Sequence, residues 1–285
     1  MKKVTKAVIP VAGLGTRFLP ITKGVAKELL PIIDKPSLQY IIEECVESGI
    51  EEVFLITSKL KPEIENYFSK DEVLEQFLIQ KGKQKELEIV KSISNICKIN
   101  YIIQEEPLGS GHAVNLVRNY INDEPIAVLY GDDLMMYEKP VLKQLIEVYE
   151  KYDCNVIGTR KVDDNLVNRY GIIEFQDIET GKIKSIVEKP SIDEAPSNYA
   201  GLGRYILKPE IFDELSKIKL NKQEYQLTDA MANLMTYQSF YTCDFAGNYY
   251  DIGNKLGYLK ANIEFGLQRE ELKEELENYL EVIEK

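Results

Sequence analysis

The sequence predicts an α/β protein of Rossmann-like type: a mixed, mostly parallel twisted sheet flanked by helices, with a strand-rich extension in the second half and helices at the C-terminus. Three observations carry this expectation. Short apolar runs, each the length of a buried strand, alternate with helical patterns from Ala7 to Tyr130. Small or acidic loop residues follow these runs, as Ala12-Gly13 and Gly131-Asp132 do, at the strand ends where such sheets hold ligands. The pattern then shifts to short strands broken by turns between 155 and 207.

Ala7–Val11 is the first buried strand and stops at Ala12-Gly13-Leu14-Gly15, where small residues allow close backbone approach. From Ser37 to Ser48, Leu38, Ile41, Ile42 and Cys45 fall at helical spacing, Gly49 ends the pattern, and Glu52–Thr57 reads as the next strand. These three elements form one β-α-β unit. Residues 61–96 are charged and helical in pattern, giving two or three surface helices, and Ile99–Gln104 is a further core strand. A helix is expected from about His112 to Tyr120, behind Gly109 and Gly111. Ile126–Tyr130 is a fourth apolar run, so the loops after Val11, Gln104 and Tyr130 should converge on one crevice. Beyond it, strands are expected at 155–160, 171–175, 183–189 and 203–207, in a mixed or antiparallel extension. Residues 209–236 read as helical, 239–252 as strand, and Lys255 onward as a long helical tail rich in Glu and Leu that suggests a homodimer or homotetramer.

With 285 residues and 44% hydrophobic content, the chain has ample material for a core without covalent staples. Its four cysteines, at 45, 97, 154 and 243, show no C-x-x-C pair and read as buried thiols. No signal-like N-terminal segment is present and no apolar run approaches the ~20 residues of a membrane helix, so a cytoplasmic location is expected. A net charge of -12 without a broad basic face argues against nucleic acid and anionic membrane as partners.

Against that acidic background Arg17, Lys23 and Lys27 cluster directly after the glycine loop, which suggests a small polyanion held at one point. Neither a Walker A loop nor a dinucleotide fingerprint is present, since the Gly-Lys-Ser/Thr and the third glycine are both missing. Asp132 and Asp133 stand where α/β enzymes hold a divalent ion, and also where a solvated Gly-Asp turn would stand. Gln104 offers an amide with both donor and acceptor, and Gly109 lets main-chain groups reach a ligand, although neither requires one. His112, the only histidine, reads as a helix-start residue rather than an acid or base.

In order, G-x-G-T-R (13–17), L-P-x-T-K (19–23) and K-E-L-L-P (27–31) resemble the signature of the sugar-phosphate nucleotidyltransferases, and within them the bacterial enzymes that transfer uridylyl to glucose 1-phosphate. The resemblance runs from about Lys6 to about Gly266. It includes the base loop from Gln104 to Ala113, the Glu188-Lys189-Pro190 motif, segments around Gly171, Asn198 and Thr228, and Asp251-Ile252-Gly253. It implies a single domain over 1–285: a nucleotide-binding part to about 150, a sugar-phosphate part over about 151–253, and the tail from about 254. It further implies that Ala12, Gly13, Gly15, Gln104, Gly109 and Asp132 bind UTP, and that Gly171, Glu188, Lys189 and Asn198 bind glucose 1-phosphate. Arg17, Lys27 and Lys189 would neutralise phosphates, and Asp132 with Asp251 would share Mg2+, the role of Asp133 being less defined.

The products implied are UDP-glucose and pyrophosphate. The same reaction with dTTP or CTP, and a catalytically silent nucleotide-sugar sensor, remain the alternative readings; five retained charged residues weigh against the sensor. Two positions depart from the family wording. Ala26 replaces the proline usual before Lys27, which frees the backbone there, and Val11 replaces a smaller alanine.

Overall fold

The computed structural model describes residues 1–218 and 224–283. Its strands and α-helices follow in chain order. The first part holds β1 (Lys6–Pro10), a two-rung hairpin of β2 (Pro31–Ile32) and β3 (Lys35–Pro36), α1 (Ser37–Glu47) and β4 (Glu52–Thr57). Helices α2 (Pro62–Phe68), α3 (Glu72–Gln80) and α4 (Gln84–Ser94) precede β5 (Lys98–Ile103), α5 (Ser110–Asn115), β6 (Ile126–Leu129), β7 (Asp133–Met136) and α6 (Val141–Tyr152). The second part contains β8 (Asn155–Lys161), β9 (Gly171–Asp177), β10 (Lys182–Glu188), β11 (Tyr199–Leu207), α7 (Ile211–Lys217) and α8 (Leu227–Leu234). It closes with β12 (Phe240–Asp244), β13 (Asn248–Asp251), α9 (Lys255–Leu267) and α10 (Glu270–Ile283).

Nine strands form one sheet in the order β5-β4-β1-β6-β11-β8-β12-β10-β9. The first four run parallel, with Val8 beside Phe54 and Val128. Strand β11 then reverses direction against β6 and β8, and β10 against β12 and β9, so the extension is mixed as the sequence predicts. The inner parallel strands β4, β1 and β6 are largely apolar because both faces are covered, whereas β5, at the sheet edge, carries Lys98 and Asn100 and is only partly buried. Successive residues point to opposite faces. Ala7 and Ile9, Val53 and Leu55, and Ala127 and Leu129 enter the core beneath α1 and α6. Val8, Phe54, Ile56, Ile126 and Val128 enter the other core, against α5, α7 and α8.

Several expectations need revision. The helix expected over His112–Tyr120 is one short α-helix, α5, with a 3-10 turn at Arg118–Tyr120. The expected helical tail consists of two helices, divided after Leu267, where Arg269 turns to Asp34 at 2.5 Å. Helix α6 is not among the expected elements, although Val141, Leu142, Leu145 and Tyr149 lie on its buried face at helical spacing. Of the helical stretch expected at 209–236, residues 219–223 lie outside the described residues, as do 284–285 of the tail. Among the described residues no helix is long and apolar enough to cross a membrane. Cys45, Cys154 and Cys243 are buried free thiols and Cys97 is partly buried.

One charged group sits within the core itself. Arg204 on β11 is fully buried; its Nη2 donates to Glu44 Oε2 on α1 at 2.8 Å and to the Asp133 carbonyl at 2.9 Å. Glu44 Oε1 also accepts from the Leu142 amide at 2.9 Å, which satisfies a free donor in the first turn of α6. This pair ties α1, α6 and β11 to the strand that begins at Asp133.

Candidate active site

Because β1, β5 and β6 run parallel, their carboxyl ends open on one side, and the loops that follow enclose a cavity of about 340 Å³. Ala12, Gly13, Lys27, Gln104, Gly109 and Asp132 are among its lining. Gly109 has φ +99 and a Cβ there would fall 2.5 Å from the Tyr225 carbonyl oxygen, so only glycine fits where this loop meets the segment before α8. Gln104 is buried, its Nε2 3.2 Å from the Gly109 carbonyl oxygen and 2.9 Å from His112 Nδ1.

Lys27 Nζ meets Asp132 Oδ2 at 2.6 Å. Behind it lies a second, buried pair that sequence reading missed: Lys61 Nζ donates to Glu28 Oε2 at 2.8 Å and to the Val11 carbonyl at 2.7 Å. Lys61 therefore joins the end of β1 to the K-E-L-L-P turn, and Lys61, Glu28, Lys27 and Asp132 alternate in charge. Burial opposes ionisation of Asp132, but Lys27 more than offsets it and holds the carboxyl below the usual range. Burial likewise disfavours the Lys27 cation, yet Asp132 and Glu28 together raise its pKa above the ordinary value. The Glu28 carboxyl is raised by burial against the pull of Lys61, and Lys61 is lowered by burial against the pull of Glu28. A glutamate inside an apolar K-E-L-L-P run was the available signal for half of this pair; Lys61, in a charged stretch, offered none.

The hairpin-like pairing of β7 with β13 sets Asp251 directly opposite Asp133. Asp132 stands one residue before β7, its carbonyl accepting from the Ile252 amide at 2.9 Å. The carboxylates of Asp132 and Asp251 converge: a Cβ built on Gly253 would lie 2.9 Å from Asp132 Oδ2 and 3.0 Å from Asp251 Oδ1. Asp133 differs from both. Burial, with the neighbouring Asp132 charge, pushes its pKa up to about 7, and its Oδ1 accepts from Tyr249 Oη at 2.7 Å.

A second cavity of about 360 Å³ adjoins the first, sharing Ser110, Tyr130, Asp132 and Glu224 with it. Arg17, Gly171, Glu188, Lys189 and Asp251 also line it. Lys189 has φ +45, a left-handed conformation that costs a non-glycine residue on the order of 1–3 kcal/mol. Its amide donates to the Tyr170 carbonyl at 2.9 Å, which holds the turn, and its Nζ lies 3.1 Å from Glu188 Oε1. Thr228 Oγ1 donates to Glu188 Oε2 at 2.7 Å, so the carboxylate is oriented from α8.

Three residues from the motifs are placed otherwise. Asn198 lies in a separate cavity, its Nδ2 donating to Asp164 Oδ1 at 3.2 Å. Gly15 lines neither of the two joined cavities; at φ +64 it makes room for Lys27, whose Cβ would be 3.0 Å from an added Cβ. Lys23 is exposed and also outside both. Ala26, where proline is usual, keeps a proline-compatible φ of -58 and is buried, so the turn before Lys27 holds its shape without the ring. A larger cavity of about 760 Å³, near Tyr137, Gln144 and Asn248, contains none of the motif residues.

A parallel α/β sheet whose strand ends carry adjoining cavities, one walled by a glycine loop and the other by lysine and glutamate, defines an enzyme that brings a nucleotide to a second polar ligand. The chain belongs to the nucleotidyl transferase family, whose model matches residues 6–266. It is 49% identical over 284 residues to the UTP–glucose-1-phosphate uridylyltransferase of Bacillus subtilis (strain 168), covering 99% of this chain and 97% of that protein. Among solved structures it resembles a UDP-glucose pyrophosphorylase complexed with UDP-glucose, at TM-score 0.84 and 38% identity, over 93% of this chain and 100% of that one. It also resembles a UTP-bound enzyme of the same name from Acinetobacter baumannii, at TM-score 0.85 and 36% identity, over 97% and 98%. The resemblance carried by the motifs is thus borne out.

Proposed function

We propose that the protein transfers uridylyl from UTP to α-D-glucose 1-phosphate, releasing pyrophosphate. The observation that carries this reading is the junction of the two cavities at Asp132: a nucleotide in one and a sugar phosphate in the other would meet beside Lys27, Arg17 and Lys189. The bond that forms joins a sugar-phosphate oxygen to the α-phosphorus; the bond that breaks frees pyrophosphate. No enzyme nucleophile is needed, because the attacking group is already an anion. The chain must hold two polyanions together and neutralise the charge that builds on the leaving group.

Lys27 suits contact with the α-phosphate, Arg17 with the β- and γ-phosphates, and Lys189 with the attacking phosphate. The converging oxygens of Asp132 and Asp251 are hard, anionic donors on one face, a set that fits Mg2+. Mg2+ held there would neutralise phosphate charge as a Lewis acid. Asp133, with its pKa pushed up to about 7 and its oxygen bound to Tyr249, is the poorer ligand of the adjacent pair. Glu188, fixed by Thr228, is suited to accept from sugar hydroxyls.

Pyrophosphate release from UTP that depends on added glucose 1-phosphate tests the reading; release that needs no sugar phosphate would refute it. Lys189→Ala should raise KM for glucose 1-phosphate by roughly 10- to 100-fold, the value of a charge-assisted hydrogen bond, and leave KM for UTP nearly unchanged. Equal effects on both substrates would give Lys189 a shared role instead.

A further inference from the structure

A glutamine amide that could turn freely would serve either pyrimidine, offering oxygen to uracil and nitrogen to cytosine, so Gln104 alone cannot discriminate between them. In this structure it cannot turn. The Gly109 carbonyl is an acceptor only, and it lies 3.2 Å from the amide nitrogen; a flipped amide would set oxygen against oxygen there. The same nitrogen meets His112 Nδ1 at 2.9 Å, so Nδ1 must be the unprotonated acceptor and the ring proton must sit on Nε2. Both amide hydrogens are thereby engaged inside the loop. Among the described residues no donor reaches Gln104 Oε1, and Gln104 lines the nucleotide cavity.

We propose that His112 is a specificity-determining positioning residue: as a second acceptor beside the Gly109 carbonyl, which sets the direction, it holds the Gln104 amide nitrogen inside the loop and its oxygen toward the base, so the site selects a base that carries an N3–H donor. This rests on the reading of the nucleotide as UTP. Uracil donates its N3–H to the locked oxygen, whereas cytosine in the same register presents its N3 lone pair. Thymine shares the N3–H, so the lock separates uracil and thymine from cytosine and leaves their methyl difference to the shape of the cavity. The ring has the state this requires at neutral pH, since burial, opposed by the Glu106 carboxylate, holds the His112 pKa below its ordinary value. Tyr225 lies edge-on to the imidazole, its ring centroid 6.4 Å away.

The test compares Kd and kcat/KM for UTP and for CTP, with glucose 1-phosphate as acceptor, in the wild type, His112→Leu and His112→Asn. Leucine removes the acceptor and should narrow the preference for UTP over CTP by about tenfold or more, with KM for glucose 1-phosphate unchanged. Asparagine places Oδ1 where Nδ1 stands and should retain most of the preference. If leucine leaves the UTP to CTP ratio at its wild-type value, or if asparagine loses as much as leucine, the lock is refuted. Should turnover in the leucine variant be too slow to measure, the two Kd values decide the same question. A wild type that uses CTP as readily as UTP would instead overturn the uridylyl reading, and the lock with it.

Discussion

Asp132→Asn and Asp251→Asn should each lower kcat/KM by roughly a thousandfold, about 4 kcal/mol of transition-state stabilisation, the scale expected when a catalytic metal loses an anionic ligand. Neither substitution need unfold the chain. Asp251→Asn retains a side-chain oxygen to accept from the Gly253 amide, which now donates to Asp251 Oδ1 at 3.0 Å. At position 132 the backbone carbonyl, not the side chain, holds Ile252. Chelation of divalent ions should silence the wild type, and added Mg2+ should restore it. Near wild-type turnover in either variant would remove that carboxylate from the site. The predicted asymmetry is with Asp133→Asn, which should cost less turnover, because its carboxyl is already driven toward the neutral form by burial and by Asp132.

The largest stability effect is expected in the core beneath the site, at Arg204. Arg204→Met should destabilise the fold by about 3–5 kcal/mol, the usual result of leaving one partner of a buried ion pair uncompensated. Glu44, 2% exposed at its side chain, would keep only the Leu142 amide as a partner, and the Asp133 carbonyl would lose its donor. Urea unfolding followed by far-UV circular dichroism measures this as a lowered midpoint at unchanged slope. The double variant Glu44→Gln with Arg204→Met should recover part of the loss, since no unpaired charge then remains. A single variant within about 0.5 kcal/mol of wild type, the range of an ordinary surface change, would show that the pair does not carry this role.

How much of this could be read in the sequence depends on whether the cause is local. The inner parallel strands were legible because burial on both faces demands nearly unbroken apolar runs, as in Ile126–Leu129, and the edge strand β5 by Tyr101, Ile102 and Ile103. The glycine loop and the basic residues behind it were legible for the same reason: close approach and charge are properties of a short segment. Asp251 was legible as a strand-end aspartate, but its partnership with Asp132 was not. Their meeting depends on the pairing of β7 with β13, two strands far apart in sequence, and only the resemblance to a family joined the two aspartates.

The buried pairs lie further still from local reading. Glu44 sits between Ile41 and Cys45 on the apolar face of α1, a position that marks a glutamate needing a partner but cannot say that the partner is Arg204. Asn198 shows the opposite case: its motif pointed to the sugar, whereas the structure turns its side chain to Asp164. His112 was legible only as a residue near the base loop, because its effect runs through a hydrogen bond whose direction is set by the Gly109 carbonyl.

Pyrophosphate release from UTP, dTTP, CTP and ATP, each with glucose 1-phosphate and Mg2+, tests the central claim most directly. UTP should be used best, dTTP poorly but detectably, since excluding a methyl group by shape is worth only ~1–3 kcal/mol, and CTP and ATP hardly at all. A preference for dTTP or CTP over UTP, or no release with any of the four, would contradict it.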